Sequence, residues 1–235
     1  MAFQRELAPD ARMLLDSLRA FCLPGGKEAA RRLRGVVITE RGEMRSAPEA
    51  PWTPFTAEQT IHAGRSGFCW EAHIRSGRIR TVVVTDAYEE GRGRLVAKLG
   101  GLIPVANFHG PEFDKGEIQR YLASIVQCPP ILVLHPSLEW TAVGPRTLRV
   151  RDLADPTGAI VDLDLGEDGR PLGCRADRPR LVGKRTILTP WSASCSEPRE
   201  WEGLRVTSRN EVTWHLPGQS FVCFRSEITS LVGQR

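Results

Sequence analysis

The chain has 235 residues, of which 41% are hydrophobic and 26% charged, with a formal net charge of +4. That length supports one generous domain or two small ones with a substantial core, and the composition excludes wholesale disorder. The basic excess is mild and scattered and no basic–aromatic module is present, which argues against nucleic-acid binding.

The opening residues Met1–Glu6 are polar and lack the apolar stretch of a signal peptide, and no apolar run approaches the ~20 residues of a helical membrane span. The expected location is therefore cytoplasmic. The six cysteines (22, 69, 128, 174, 195 and 223) are widely spaced without a C-x-x-C pair, so free thiols are expected.

In chain order, Asp10 has the chemistry of a helix cap, and Leu14, Leu15, Leu18 and Phe21/Cys22 form a stripe at helical spacing that Pro24-Gly25-Gly26 ends. A short turn over 27–33 leads to a strand at Val36–Thr39, and Arg41-Gly42 is expected to make a hairpin into Glu43–Arg45. After the Pro-rich loop 48–54 the pattern alternates with period two. Phe55, Ala57, Gln59 and Ile61 share a face, as do Phe68, Trp70, Ala72 and Ile74. Ser76-Gly77 turns the chain into 79–88, where Val82, Val84, Asp86 and Tyr88 share a face. Gly91-x-Gly93 and Gly100-Gly101 punctuate further strands up to Ile103–Phe108.

A helix over 114–127 follows. Asp114 and Glu117 have capping-box spacing, Ile118, Tyr121, Leu122 and Ile125 form the apolar stripe, and Pro129-Pro130 stops it. Strand patterns resume at 148–153, 159–165, 171–176, 204–207, 212–216 and 221–228, with turns at Glu167-Asp168-Gly169 and Pro217-Gly218. Short turns between neighbouring strands favour antiparallel pairing. The expected class is α+β: a large curved antiparallel sheet closed by a few helices. It divides into an N-terminal helical segment, 1–34, and a single curved-sheet domain, 35–235, that includes helix 114–127.

Familiar catalytic fingerprints are missing. Gly183-Lys184 lacks the upstream glycine of a P-loop, and Gly91-x-Gly93 lacks the third glycine of a dinucleotide site. Gly64-Arg65-Ser66-Gly67 is one residue short of a nucleophile elbow, and the five histidines are isolated. No metal and no cofactor is expected. The chemistry-bearing candidates are Asp86 and Tyr88 on the strand 79–88, Arg120 as a cation that would compensate Asp86, and Glu112 beside His109 at the start of the helix. Candidate ligand-binding residues are Phe68, Trp70, Val82, Val84, Tyr121, Trp140 and Trp214. Each also has a plainer reading as core, strand end or solvated loop, and parity leaves open which strand faces are concave.

An ordered series of motifs adds a resemblance. Arg41–Arg45, Pro51-Trp52 with Phe55, Ala57 and Gln59, Gly67-Phe68-x-Trp70-x-Ala72, Asp86-x-Tyr88-x-x-Gly91-x-Gly93 and Arg120-Tyr121-Leu122-Ala123 occur in sequence, with Pro190-Trp191 and Val212-x-Trp214 later. Together these resemble an uncharacterised bacterial family, a domain of unknown function, over residues from about 30 to 229. Two positions depart from that pattern: Ser124 replaces a Glu and Gln127 replaces a Trp. The resemblance implies the open half-barrel of bacterial lipoprotein carriers, and no activity.

Three functions are expected from these readings. The leading one is binding of a hydrophobic small molecule such as a lipid, isoprenoid or polyketide-like compound in the concavity. The second is a cyclase or isomerase acting on such a compound in the same pocket, and the third an interaction protein docking a partner through its sheet edge or through loops carrying Trp191 and Trp201. The oligomeric state is open.

Overall fold

The computed structural model describes residues 7–76, 80–183 and 185–235. The polar start Met1–Glu6, the Ser76-Gly77 turn beyond Ser76, and Lys184 lie outside the described residues.

Helix α1 (Pro9–Cys22) begins with proline in its first turn, where a missing N–H costs nothing. Asp10 sits inside that turn and makes no cap hydrogen bond. The stripe Leu14, Leu15, Leu18, Phe21 and Cys22 is buried as its spacing requires. A single turn, α2 (Lys27–Ala30), follows.

Six strands come next: β1 (Gly35–Met44), β2 (Thr53–His62), β3 (Phe68–Ser76), β4 (Arg80–Glu89), β5 (Arg92–Leu99) and β6 (Ile103–His109). Helix α3 (Pro111–Ala123) and a 3-10 turn (Ser124–Gln127) lead through α4 (Ile131–Leu134) to seven more. These are β7 (Leu138–Gly144), β8 (Thr147–Asp152), β9 (Val161–Leu165), β10 (Pro171–Val182), β11 (Arg185–Trp201), β12 (Leu204–Leu216) and β13 (Gln219–Gln234). Among the described residues they form one sheet of 13 strands ordered β6-β5-β4-β3-β2-β1-β13-β12-β11-β10-β9-β8-β7, antiparallel throughout. Two meanders thus meet at a single seam, β1 against β13. Helix α3 touches β4, β5 and β6 of one arm and β9 and β10 of the other. Strands so far apart in the sheet can meet one helix only if the sheet curves around it. The result is an open half-barrel of mostly sheet, with less helix than α+β implied.

Four local expectations are corrected. Arg41-Gly42 is not a turn, because β1 runs straight through it and pairs with β2 and β13 on both sides. Gly42 is needed for close approach instead: a Cβ there would lie 2.0 Å from the Arg225 carbonyl oxygen and 2.8 Å from the Phe55 ring. Helix α3 starts at Pro111 behind Gly110 (φ 121°), three residues earlier than the capping-box spacing implied. Asp114 is drawn away to accept the Gly93 N–H at 2.7 Å, and Glu117 points elsewhere. The segments 204–207 and 212–216 form one strand, β12. Trp191 and Trp201 both lie on the long strand β11, Trp191 buried and Trp201 half-buried, and not in loops.

Candidate functional site

The concave face encloses a cavity of about 540 Å3 between the sheet and α3. Strand register builds its floor. Gln59, Trp70, Asp86, Leu95 and Phe108 stand opposite one another across β2 to β6, one line of side chains running from the centre of the sheet to its rim. On the other arm Cys174, Ala193, Val212 and Phe224 form a second line, and Trp191 faces Trp214 in a third. Most of these are apolar, as period-two alternation against a curved core demands.

Helix α3 supplies the roof with two stripes. Ile118, Tyr121, Leu122 and Ile125 enter the core, while Glu117, Arg120, Ala123, Ser124 and Gln127 line the cavity. Ser124 and Gln127 are therefore both cavity-lining.

A charged cluster sits among these apolar walls. The Arg120 guanidinium makes an ion pair with Asp86 Oδ2 and lies over Phe68 (4.8 Å) and Trp70 (5.1 Å). Stacking on two rings lowers the cost of removing the cation from water. Trp70 Nε1 donates to Glu40 Oε1 at 2.7 Å, and burial pushes the Glu40 carboxyl above its ordinary range. Arg178 Nη2 donates to the Gly116 carbonyl at 2.6 Å, approaches Glu117 Oε1 at 3.6 Å, and lies over Trp191. Burial raises Glu117 to about 8, and the neighbouring Asp86 charge adds to the rise. Among the described residues, Glu117 Oε2 and Asp86 Oδ1 are both buried without a hydrogen-bond partner. The cluster thus sets three buried carboxyl groups, Glu40, Asp86 and Glu117, beside two guanidinium groups, Arg120 and Arg178.

Of the candidate ligand-binding residues, Trp70, Val84 and Trp214 line the cavity. Phe68 is buried beneath Arg120. Tyr121 is fully buried, its hydroxyl donating to the His62 carbonyl at 3.0 Å. Val82 is half-buried against the core, and Trp140 is in the core on β7, toward the far edge. Of the chemistry-bearing candidates, Asp86 and Arg120 meet in the cavity. Tyr88 is buried outside the cavity lining, where burial and the charges of Asp155, Asp152 and Asp114 push its hydroxyl far above its usual range. Glu112 and His109 are exposed along an outer cleft.

Glu40 and Arg178 were not singled out in the sequence, and Glu117 and Trp191 were read there as a helix cap and as a partner-docking residue. Glu40 shares parity with the buried Val36 and Ile38, a signal hidden by ending the strand at Thr39. Glu117 lies one turn before Arg120, a signal masked by assigning it to a cap.

Ser66 does meet a histidine and an aspartate. Its hydroxyl, however, donates to Asp152 Oδ2 at 2.6 Å, and His135 presents Nδ1 to the Ser137 N–H rather than to a carboxylate. The serine proton is thus held by the acid, and the group ties loops together. Burial pulls the His135 imidazole below its ordinary range. All six cysteines are free, and burial raises the thiols of those lining the cavity (Cys174, Cys195 and Cys223), keeping them protonated. Among the described residues, no group of three or more His, Cys, Asp or Glu could hold a metal ion.

Comparison with known proteins agrees with the motif series. The model of a family of unknown function, DUF6544, matches residues 18–226, and the chain belongs to that family. No curated protein matches it. A DUF1329 family protein from Desulfovibrio piger, 8% identical, is similar over 96% of this chain and 94% of its own, with a TM-score of 0.52. A LolA superfamily protein from Nitrosomonas europaea, 10% identical, aligns over 97% and 94%, with a TM-score of 0.48. At such identities the likeness is one of fold.

Proposed function

We propose that this DUF6544 member binds a hydrophobic small molecule, of lipid, isoprenoid or polyketide-like chemistry, in the concavity of its half-barrel. The observation that carries this reading is the cavity of about 540 Å3, a size typical of small-molecule sites, walled by Trp70, Val84, Leu95, Trp191, Val212 and Trp214. Water gains little in such a space, and an apolar guest gains contact on every side. The charged cluster at Asp86 and Arg120 would orient a polar end of the guest. Ser124 and Gln127, at the positions where this chain departs from its family pattern, would tune the cavity to one guest.

Native mass spectrometry of freshly purified protein, followed by organic extraction, tests the proposal. A co-purifying apolar mass is expected, and Ala193→Trp, which fills the cavity, should reduce it. A clean apo mass, together with no uptake of added lipids, would overturn it.

A second reading, a cyclase or isomerase working on such a compound, is favoured by one group. A carboxyl held at about 8 inside the cavity beside Asp86 is suited to moving a proton near neutral pH. Here Glu117 and Asp86 take the acid/base roles, with Arg120 and Arg178 as electrostatic partners. Turnover of relatives of the extracted compound that survives Glu117→Gln unchanged would refute it.

A further inference from the structure

The cavity mouth is bordered by apolar side chains that the fold leaves in water. At the tip of the β10–β11 hairpin, Leu181, Val182, Ile187 and Leu188 are each 43–58% exposed. Adjacent strand residues point to opposite faces, so neither face of the tip is covered. On the other arm, β6 and the turn before it expose Leu102 (84%), Ile103 and Val105. The two rims border one opening: Phe108 of β6, Leu181 and Thr186 line a cleft of about 710 Å3 that also reaches the cavity residues Glu117 and Arg178.

Basic residues outnumber acidic ones around these rims. From Gly91 to Pro111 the chain carries Arg92, Arg94 and Lys98 and no acid. From Pro179 to Ser196 it carries Arg180, Lys184 and Arg185 and no acid. Against them stand two exposed acids, Glu112 on the cleft and Glu90 in an adjoining groove shared with Pro179, Thr186 and Leu188. Exposed apolar residues of this extent mark an interaction surface. A flat protein partner would cover one face of a hairpin, whereas apolar residues on both faces suit a medium that surrounds the tip. Basic residues beside apolar ones match an interface whose headgroups are negative and whose interior is oily.

We propose that the β10–β11 tip and the β6 rim dock on an anionic lipid bilayer, placing the cavity mouth against the membrane surface. Docking is a property of the rims and holds whether or not a guest fills the cavity.

Sedimentation with vesicles tests this. The purified protein should bind vesicles of equal parts phosphatidylcholine and phosphatidylglycerol at low ionic strength. Binding should fall as salt is raised and be absent with phosphatidylcholine alone. Arg185→Gln should weaken the partition about fivefold, the effect of one basic residue near such a surface. The double variant Val182→Ser/Ile187→Ser should weaken it at least tenfold. Both positions are exposed and outside the cavity lining, so circular dichroism and any co-purifying compound should be unchanged. Three outcomes overturn the assignment: equal binding to neutral vesicles, equal binding by the double variant, or no vesicle binding with self-association that the double variant abolishes, which would make the occupant a second copy of this chain. Loss of the co-purifying compound with vesicle binding intact would instead tell against the cavity reading alone.

Discussion

Replacing Glu117 with Gln isolates the buried proton on which the cluster depends. The carboxyl ionises near 4.5 when exposed and near 8 in the folded protein. A folded value above the unfolded one means that the native state binds the extra proton. Its stabilising effect is full below about pH 4.5 and is lost as pH rises toward 8, at about 1.4 kcal/mol per pH unit. Between pH 5 and 7.5 this group should therefore remove roughly 3 kcal/mol of stability. Gln has nearly the same shape, stays neutral, and can donate an amide N–H toward Asp86 in place of the acid proton. Urea denaturation of both proteins at several pH values gives two profiles, and their difference cancels the titration of Glu40 and every other shared group. The difference should narrow by roughly 3 kcal/mol in favour of the variant as pH rises from 5 to 7.5. Parallel profiles would mean that Glu117 is charged in the folded protein, and its part as the proton holder of the cavity would fall.

Asp86→Asn should cost about 3 kcal/mol by urea denaturation, because Arg120 would remain largely buried with its ion-pair partner gone. The double variant Asp86→Leu/Arg120→Leu should recover much of that loss, and additive losses would refute the coupling. Trp70→Phe should cost about 1–3 kcal/mol beyond the lost ring area, since Glu40 would lose the indole N–H. Gly42→Ala should cost about 1–3 kcal/mol or more from overpacking, as the added carbon meets the Arg225 carbonyl, and a neutral outcome by thermal melting would contradict the close approach.

The period-two alternation made the strands of the first arm legible, because one face of each is buried and the other wet. Phe55, Ala57, Gln59 and Ile61 lie inward as their parity required. The second arm was less legible. The 17-residue strand β11 (Arg185–Trp201) is mostly exposed and carries prolines and serines, so no alternation marks it, and its order comes from pairing with β10 and β12. Tertiary context also overrode the local signals at Gly42 and Asp114. In the site, parity placed Asp86, and the helix stripe placed Arg120 one position from Tyr121. What parity cannot supply is which distant strands face each other, and Arg178 and Trp191 reach the cavity only because the sheet curves back across α3.

The seam between β1 and β13 bears on how the molecule comes together. Every other strand pairs with its immediate neighbour in the chain, so each arm is a run of short-range hairpins. The seam joins Gly35 to Gln234, across nearly the whole sequence, and closing so long a loop is entropically slow. The arms can therefore zip early while the curvature that creates the cavity waits for their union. Until then the lines of apolar side chains along both inner faces stand in water. Their residues are spent on one another only when the last register is set.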